Sequence, residues 1–150
     1  MIEKIGLTLL ATVLPISELR GGIPLGISLG LDPLLTFAIA VIANALIFFP
    51  AYFLLRGLYS KFLSRWGLFN RYLDSLRRKG KPRLDKYGFL GLALFVAVPL
   101  PLTGAYTGTI LAWLFDMNWR KSFLAIGLGV LIAGIIVLLI TLGVVKGLGI

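Results

Sequence analysis

Four apolar stretches, Ile5–Leu31, Leu34–Leu55, Gly88–Phe115 and Phe123–Val145, take up most of this chain. Each is long enough for the ~20 residues that cross a bilayer as a helix. Only 14% of the 150 residues are charged, against about a quarter in soluble domains. A chain this apolar folds in a membrane, and without water the backbone must satisfy itself within helices. The expected class is therefore an all-α integral membrane protein, with residues 1–150 forming a single membrane domain. The opening MIEKIGLTLL has no basic leader and no A-x-A cleavage pattern, and reads as mature sequence.

The first and third stretches are interrupted. PISELRGGIPLG, Pro15 to Gly26, places two prolines, three glycines, Glu18 and Arg20 inside apolar surroundings. A charge near the bilayer centre costs at least ~2.5–3.5 kcal/mol, which makes an intramembrane Glu or Arg a candidate functional group. On a regular helix, residues two apart point to nearly opposite sides, while Pro removes a backbone donor and Gly permits unwinding. The flanking runs Ile5–Leu14 and Ile23–Leu31 each make a half-bilayer helix at 1.5 Å per residue. A helix, a break and a second helix are expected. The third stretch repeats the design, with a break at Pro99 and Pro101, then Thr103, Gly104 and Gly108. Gly22 and Gly26 match Gly104 and Gly108 in spacing, and an unbroken apolar helix follows each break. The order reads as an internal duplication: repeat 1 over residues 1–56, a basic linker over 57–87, and repeat 2 over 88–150. The same glycines also suit close helix packing.

Charge decides between two topologies. Ten Lys and Arg but only Asp74 and Asp85 lie between Arg56 and Lys86, so this segment holds +8 of the net +9. Such a patch fits nucleic acid, but next to membrane segments the positive-inside rule explains it better, and no nucleic-acid partner is expected. If all four stretches span, Arg120 and Lys121 fall outside. If the broken stretches are re-entrant hairpins, residues 56–87 and Arg120–Lys121 are all cytoplasmic and both termini lie outside. The hairpins obey the rule. The fold expected is then an inverted repeat of a re-entrant helical hairpin plus a transmembrane helix, multi-pass in the plasma membrane, with broken tips meeting near the midplane.

Within the linker, Tyr59, Phe62, Leu63, Trp66, Phe69, Leu73 and Leu76 recur at helical spacing opposite Lys61, Arg65, Arg71 and Arg78. This predicts a cytoplasmic amphipathic helix in the interface, either an anchor or a site for anionic lipid; Gly67 weakens the helix. Trp113 and Trp119 are expected in the interfacial aromatic belt, and Pro50 is expected to kink its helix.

PISELRGGIPLGISLGL and VPLPLTGAYTGTILAWL resemble the two signature stretches of the small multidrug export protein family, related to the DedA (VTT) superfamily. The resemblance covers essentially the whole chain and implies re-entrant hairpins in inverted repeat and a transport role. For the wider superfamily it implies proton-dependent transport, flipping of polyprenyl-phosphate carriers and lipid scrambling. The second DedA motif, arginines around a proline, has no counterpart at Pro99 and Pro101, so lipid-phosphate recognition would rest on Arg20 alone.

The expected activity is that of a small secondary transporter for a small or lipid-linked anionic substrate, with proton coupling. Arg20 is the anion contact, a planar donor with permanent charge. Glu18 is the protonatable partner, since burial and a nearby cation act on a carboxyl group in opposite senses. Backbone donors around Gly21–Gly22 and Thr103–Gly104 complete the site, as half-helix ends do for anions. Asn44 either reaches that site or cross-links two helices. A lipid flippase or scramblase is the alternative, and a structural pair in an assembly module is the second. With no Cys or His, disulfides and the common metal sites are excluded, no cofactor is implied, and an enzyme is not expected. Membrane lipids and the substrate are the expected partners, together with a second copy in a homodimer or, alternatively, a self-clasping monomer.

Overall fold

Prolines set the helix boundaries. The computed structural model describes residues 1–149, and their side chains other than at 80 and 83–85. Helix α1 (Ile2–Val13) stops where Leu14 turns extended, at φ −64° and ψ 132°; the ring of Pro15 disfavours a helical residue before it. After Leu14–Ser17, α2 runs over Glu18–Ser28. Asp32, before Pro33, is extended in the same way and accepts a hydrogen bond from the Leu35 amide at 2.9 Å, capping α3 (Pro33–Leu46) with proline at its first position. The helix breaks at Ile47 and continues as α4 (Phe48–Lys61). Pro50 explains the break: its missing N–H and its ring clash fall on the carbonyl of Leu46, where α3 ends.

A 3-10 turn at Leu63–Arg65 leads into α5 (Gly67–Ala97), which ends where Val98 becomes extended before Pro99. The short α6 (Ala105–Leu114) follows, then α7 (Trp119–Gly147), capped by Asn118. The described residues are helical with no strand, and two segments, Pro33–Arg65 and Trp119–Gly147, are long and apolar enough to cross a membrane.

α7 is the central post, in contact with α2, α3, α5 and α6. Its small residues permit that crowding: Gly129 lies against Ala93 and Val96 of α5, and Gly134 against Phe37 and Val41 of α3. Ile126, Val130 and Ala133 complete its buried face. Towards its N-terminal end an aromatic cluster joins it to α4, with the Phe49 and Phe123 rings 4.7 Å apart and Phe48 stacked on Tyr52 at 5.0 Å. α1 packs on α2 and α3, while α6 packs on α4 and α5.

Two expectations are corrected. The linker is not one interfacial helix, because α4 ends at Lys61 and α5 begins at Gly67. Tyr59, Phe69 and Leu73 turn into the core, whereas Phe62 and Trp66 stay exposed. The side-chain-free Gly67 is where the amphipathic pattern changes helix. Trp113 is buried rather than in the interfacial belt, with its ring edge-on to Tyr59 at 5.6 Å. α6 is too short for its last turn to clear the protein, and α5 closes over it: the Arg77 guanidinium donates to the Leu114 carbonyl at 2.7 Å.

Candidate functional site

The two breaks meet. In the first, the Ser17 and Glu18 amides both donate to the Leu14 carbonyl, at 3.2 and 2.9 Å. Glu18 then opens α2 with a positive φ of 48°, an uncommon conformation for a residue with a side chain. This turns its carboxylate away from the direction a regular helix would give it. Glu18 and Arg20, which regular helical spacing would separate, come within 3.9 Å.

The second break is stitched by Thr103. The one proton of its hydroxyl faces the carbonyls of Val98 and Leu100, at 2.5 and 2.8 Å, and the oxygen accepts from the Leu100 amide at 3.2 Å. Gly104 follows at φ 152° and ψ −168°, a region open essentially to glycine alone. A Cβ there would also collide with the Glu18 carboxylate. These two features bring the start of α6 onto Glu18: Oε2 accepts from the Ala105 amide at 3.2 Å and Oε1 from the Tyr106 amide at 3.5 Å. Arg20 donates to the Thr103 carbonyl. The Glu18 side chain is 4% exposed and that of Arg20 20%.

Other helix ends at this level are closed by neighbours. The last carbonyls of α1 have no partner in their own helix. The Asn44 amide donates to the Thr12 carbonyl at 3.3 Å and the Tyr106 hydroxyl to the Val13 carbonyl at 2.6 Å. Asn44 therefore cross-links α3 to α1 beside the site. Its Oδ1 is buried with no hydrogen-bond partner among the described residues.

Of the sequence candidates, Glu18, Arg20, Thr103 and Gly104 are brought together, with Asn44 adjoining. Gly21 and Gly22 do not offer free donors there. Both lie inside α2, where the Gly21 amide donates to Ser17 at 3.1 Å and Gly22 forms the notch that admits Thr12 of α1. Thr103 likewise supplies a carbonyl rather than an amide, its N–H being directed to Leu100. The donors come two and three residues later, at Ala105 and Tyr106, and both are directed to Glu18. Sequence reasoning missed both because a cap supplied by a different hairpin leaves no local pattern. A tyrosine at the start of an apolar helix was the available hint, since a buried phenol needs a hydrogen-bond partner.

A family profile described as "putative small multi-drug export protein" matches residues 18–136. The chain belongs to this small multi-drug export family. Neither the curated proteins nor the solved structures yield a match. The match begins at Glu18 and ends at Ile136 in α7, so it contains every residue of the Glu18–Arg20–Tyr106 cluster. Family membership and the apolar helices make it a membrane protein of the transport class.

Proposed function

We propose that this protein carries a small or lipid-linked anion across the membrane, exchanging it for the protein's own Glu18 carboxylate. The observation that carries the reading is the placement of that carboxylate. It is held by the first amides of α6, sits at the first residue of α2, and has the Arg20 guanidinium beside it. Helix N-termini are partially positive and bind anions, so two half-helix ends and one Arg define an anion site with Glu18 as tethered occupant. Protonation of Glu18 would release it and open those amides and Arg20 to a substrate anion, coupling anion and proton.

The helix lengths support re-entrant hairpins in inverted repeat. α1, α2 and α6, of 12, 11 and 10 residues, each make about half of a ~30 Å hydrocarbon core. The contacts support one basic side: Arg77 reaches the end of α6, and the Tyr52 hydroxyl donates to the Met117 carbonyl at 3.2 Å. Lys4 of α1 and Gly30 after α2 adjoin each other, in keeping with a hairpin that enters and leaves by one face. The pairing repeats as well: α1 with α3 parallels α5 with α7, and α2 with α7 parallels α6 with α4. In this reading the basic linker is cytoplasmic in the plasma membrane and the termini are outside.

Flux in proteoliposomes is the test. Uptake of a panel of small anions, driven by a pH gradient, should depend on Arg20 and fall in Arg20→Lys, because a point-charge ammonium cannot reproduce the planar fork. Glu18→Gln should uncouple uptake from the proton gradient. A second reading has its own support in the mutual satisfaction of Glu18, Arg20 and Thr103, which suits a structural clasp between hairpins. Both variants folding and transporting as the parent does would favour the clasp.

A further inference from the structure

Two cavities, of about 540 and 470 Å³, lie where α5 passes α6 and the loop after it. Neither includes Glu18 or Arg20. Tyr87, Gly88 and Met117 line both, so the two share a wall, yet their chemistry differs. The larger is walled by apolar side chains such as Leu92, Phe95, Leu111 and Phe115, with Lys79 as its cation. The smaller is lined by Lys86, Lys121 and Asn118, with Asp116 the one acid among its described lining residues. Lys86 is steadied over the Tyr87 ring, its Nζ 5.3 Å from the centroid. Gly91 leaves the α5 face bare at the larger cavity, since a Cβ there would meet only its own helix neighbour Tyr87, at 3.9 Å. An apolar cavity joined to a basic one matches an amphiphile with an anionic head.

We infer that this groove binds one anionic phospholipid, its acyl chain in the apolar cavity and its phosphate at Lys86 and Lys121. The charge excess selects an anionic over a zwitterionic headgroup, and the apolar half selects a lipid over free phosphate. The site is independent of the Glu18–Arg20 cluster. A lipid held there joins the start of the apolar arm Lys86–Ala97 to the Asp116–Lys121 loop that leads into α7.

Native mass spectrometry of the purified full-length chain, equilibrated with equimolar phosphatidylglycerol and phosphatidylcholine, tests this. One phosphatidylglycerol per chain should be retained in preference, and Lys86→Gln and Lys121→Gln should each lower retention by about fivefold. Gly91→Phe fills the apolar cavity without altering charge and should abolish the retained lipid; Leu111→Trp serves the same purpose should Gly91→Phe not fold. Arg20→Lys should leave retention unchanged, which separates this site from the transport reading. Equal retention of the two lipids overturns the inference. So does undiminished phosphatidylglycerol on a folded cavity-filled variant, which would reduce the effect to the general basic surface, and so does displacement of the lipid by inorganic phosphate alone.

Discussion

Glu18 caps a helix that begins 87 residues away: its Oε2 accepts the amide of Ala105 at 3.2 Å. At membrane depth an unsatisfied amide costs several kcal/mol, so the start of α6 needs an acceptor and the opposite hairpin supplies a charged one. The same carboxylate stands at the first residue of α2 and beside Arg20. Removing it exposes three groups at once.

Glu18→Ala is therefore expected to destabilise the fold by about 3–5 kcal/mol, the range for breaking a buried pair by deleting one partner. Glu18→Gln keeps a carbonyl acceptor and loses only the charge assistance, a cost of about 1 kcal/mol. Chemical unfolding in detergent, followed by circular dichroism, should rank the parent above Gln and Gln above Ala. Equal stability of the Ala and Gln variants would mean that the amides of α6 find another acceptor.

Gly104 and Gly143 should respond in opposite directions to the same substitution. Gly104→Ala places a Cβ in a backbone region essentially reserved for glycine and against the Glu18 carboxylate, a loss of at least about 1–3 kcal/mol. Gly143 lies in α7 with nothing within 4 Å of a would-be Cβ, so Gly143→Ala should stabilise by about 0.5–1 kcal/mol. Melting temperatures of the two variants in one detergent read the contrast directly.

Much of this arrangement is legible from residue order. Pro15, Pro33 and Pro99 each force the preceding residue out of helix, and Pro50 breaks its helix at Ile47; all four boundaries follow from local sterics. A carboxylate in a run of apolar residues is enough to mark Glu18. The partners of Glu18 are not legible in the same way, because Ala105 and Tyr106 act through backbone amides that every residue but proline has. Gly21, Gly22 and Pro24 mislead for a related reason: composition suggests unwinding, yet α2 continues through them because Thr8 and Thr12 of α1 fill the notches at Gly26 and Gly22. Trp113 is misread because burial depends on where α5 lies, and the Arg77 contact that fixes it joins residues 37 apart.

Arg77 is expected to stabilise α6 from its C-terminal end. Its Nε and Nη2 donate to the Leu114 and Trp113 carbonyls at 2.7 and 3.4 Å, and a cation at a helix C-terminus is favourable. Arg77→Ala should lower stability by about 1–2 kcal/mol. Arg77→Lys, retaining the charge but not the fork, should recover part of it. Tryptophan fluorescence during urea unfolding would report the change, since Trp113 sits in the turn that Arg77 holds.

Single cysteines test the topology without disturbing a cap. Ser28, Ser75 and Lys121 are exposed and cap no helix start, whereas the side chains of Asp32 and Asn118 cap α3 and α7. In oriented cells Ser28→Cys should react with a membrane-impermeant maleimide from outside. Ser75→Cys and Lys121→Cys should react only after permeabilisation. External labelling at Lys121 would place the Asp116–Lys121 loop opposite the basic linker and make α5 and α6 a full crossing in place of a hairpin.

Assembly gives the last expectation. A single chain offers two segments long and apolar enough to cross a membrane, Pro33–Arg65 and Trp119–Gly147, and re-entrant breaks would need shielding from lipid. Gly129 and Gly134 of α7 are already used inside the chain, against α5 and α3. Gly127, on the open side of the same helix, is left as a surface where a second copy can approach closely. A homodimer through this face is expected, and the mass in nanodiscs should be that of two chains. Gly127→Leu should shift it to one chain while leaving the fold intact, because a Cβ at this position has nothing of its own protomer within 4 Å. A single-chain mass for the parent, with transport preserved, would show instead that the two halves of one chain suffice to bury both breaks.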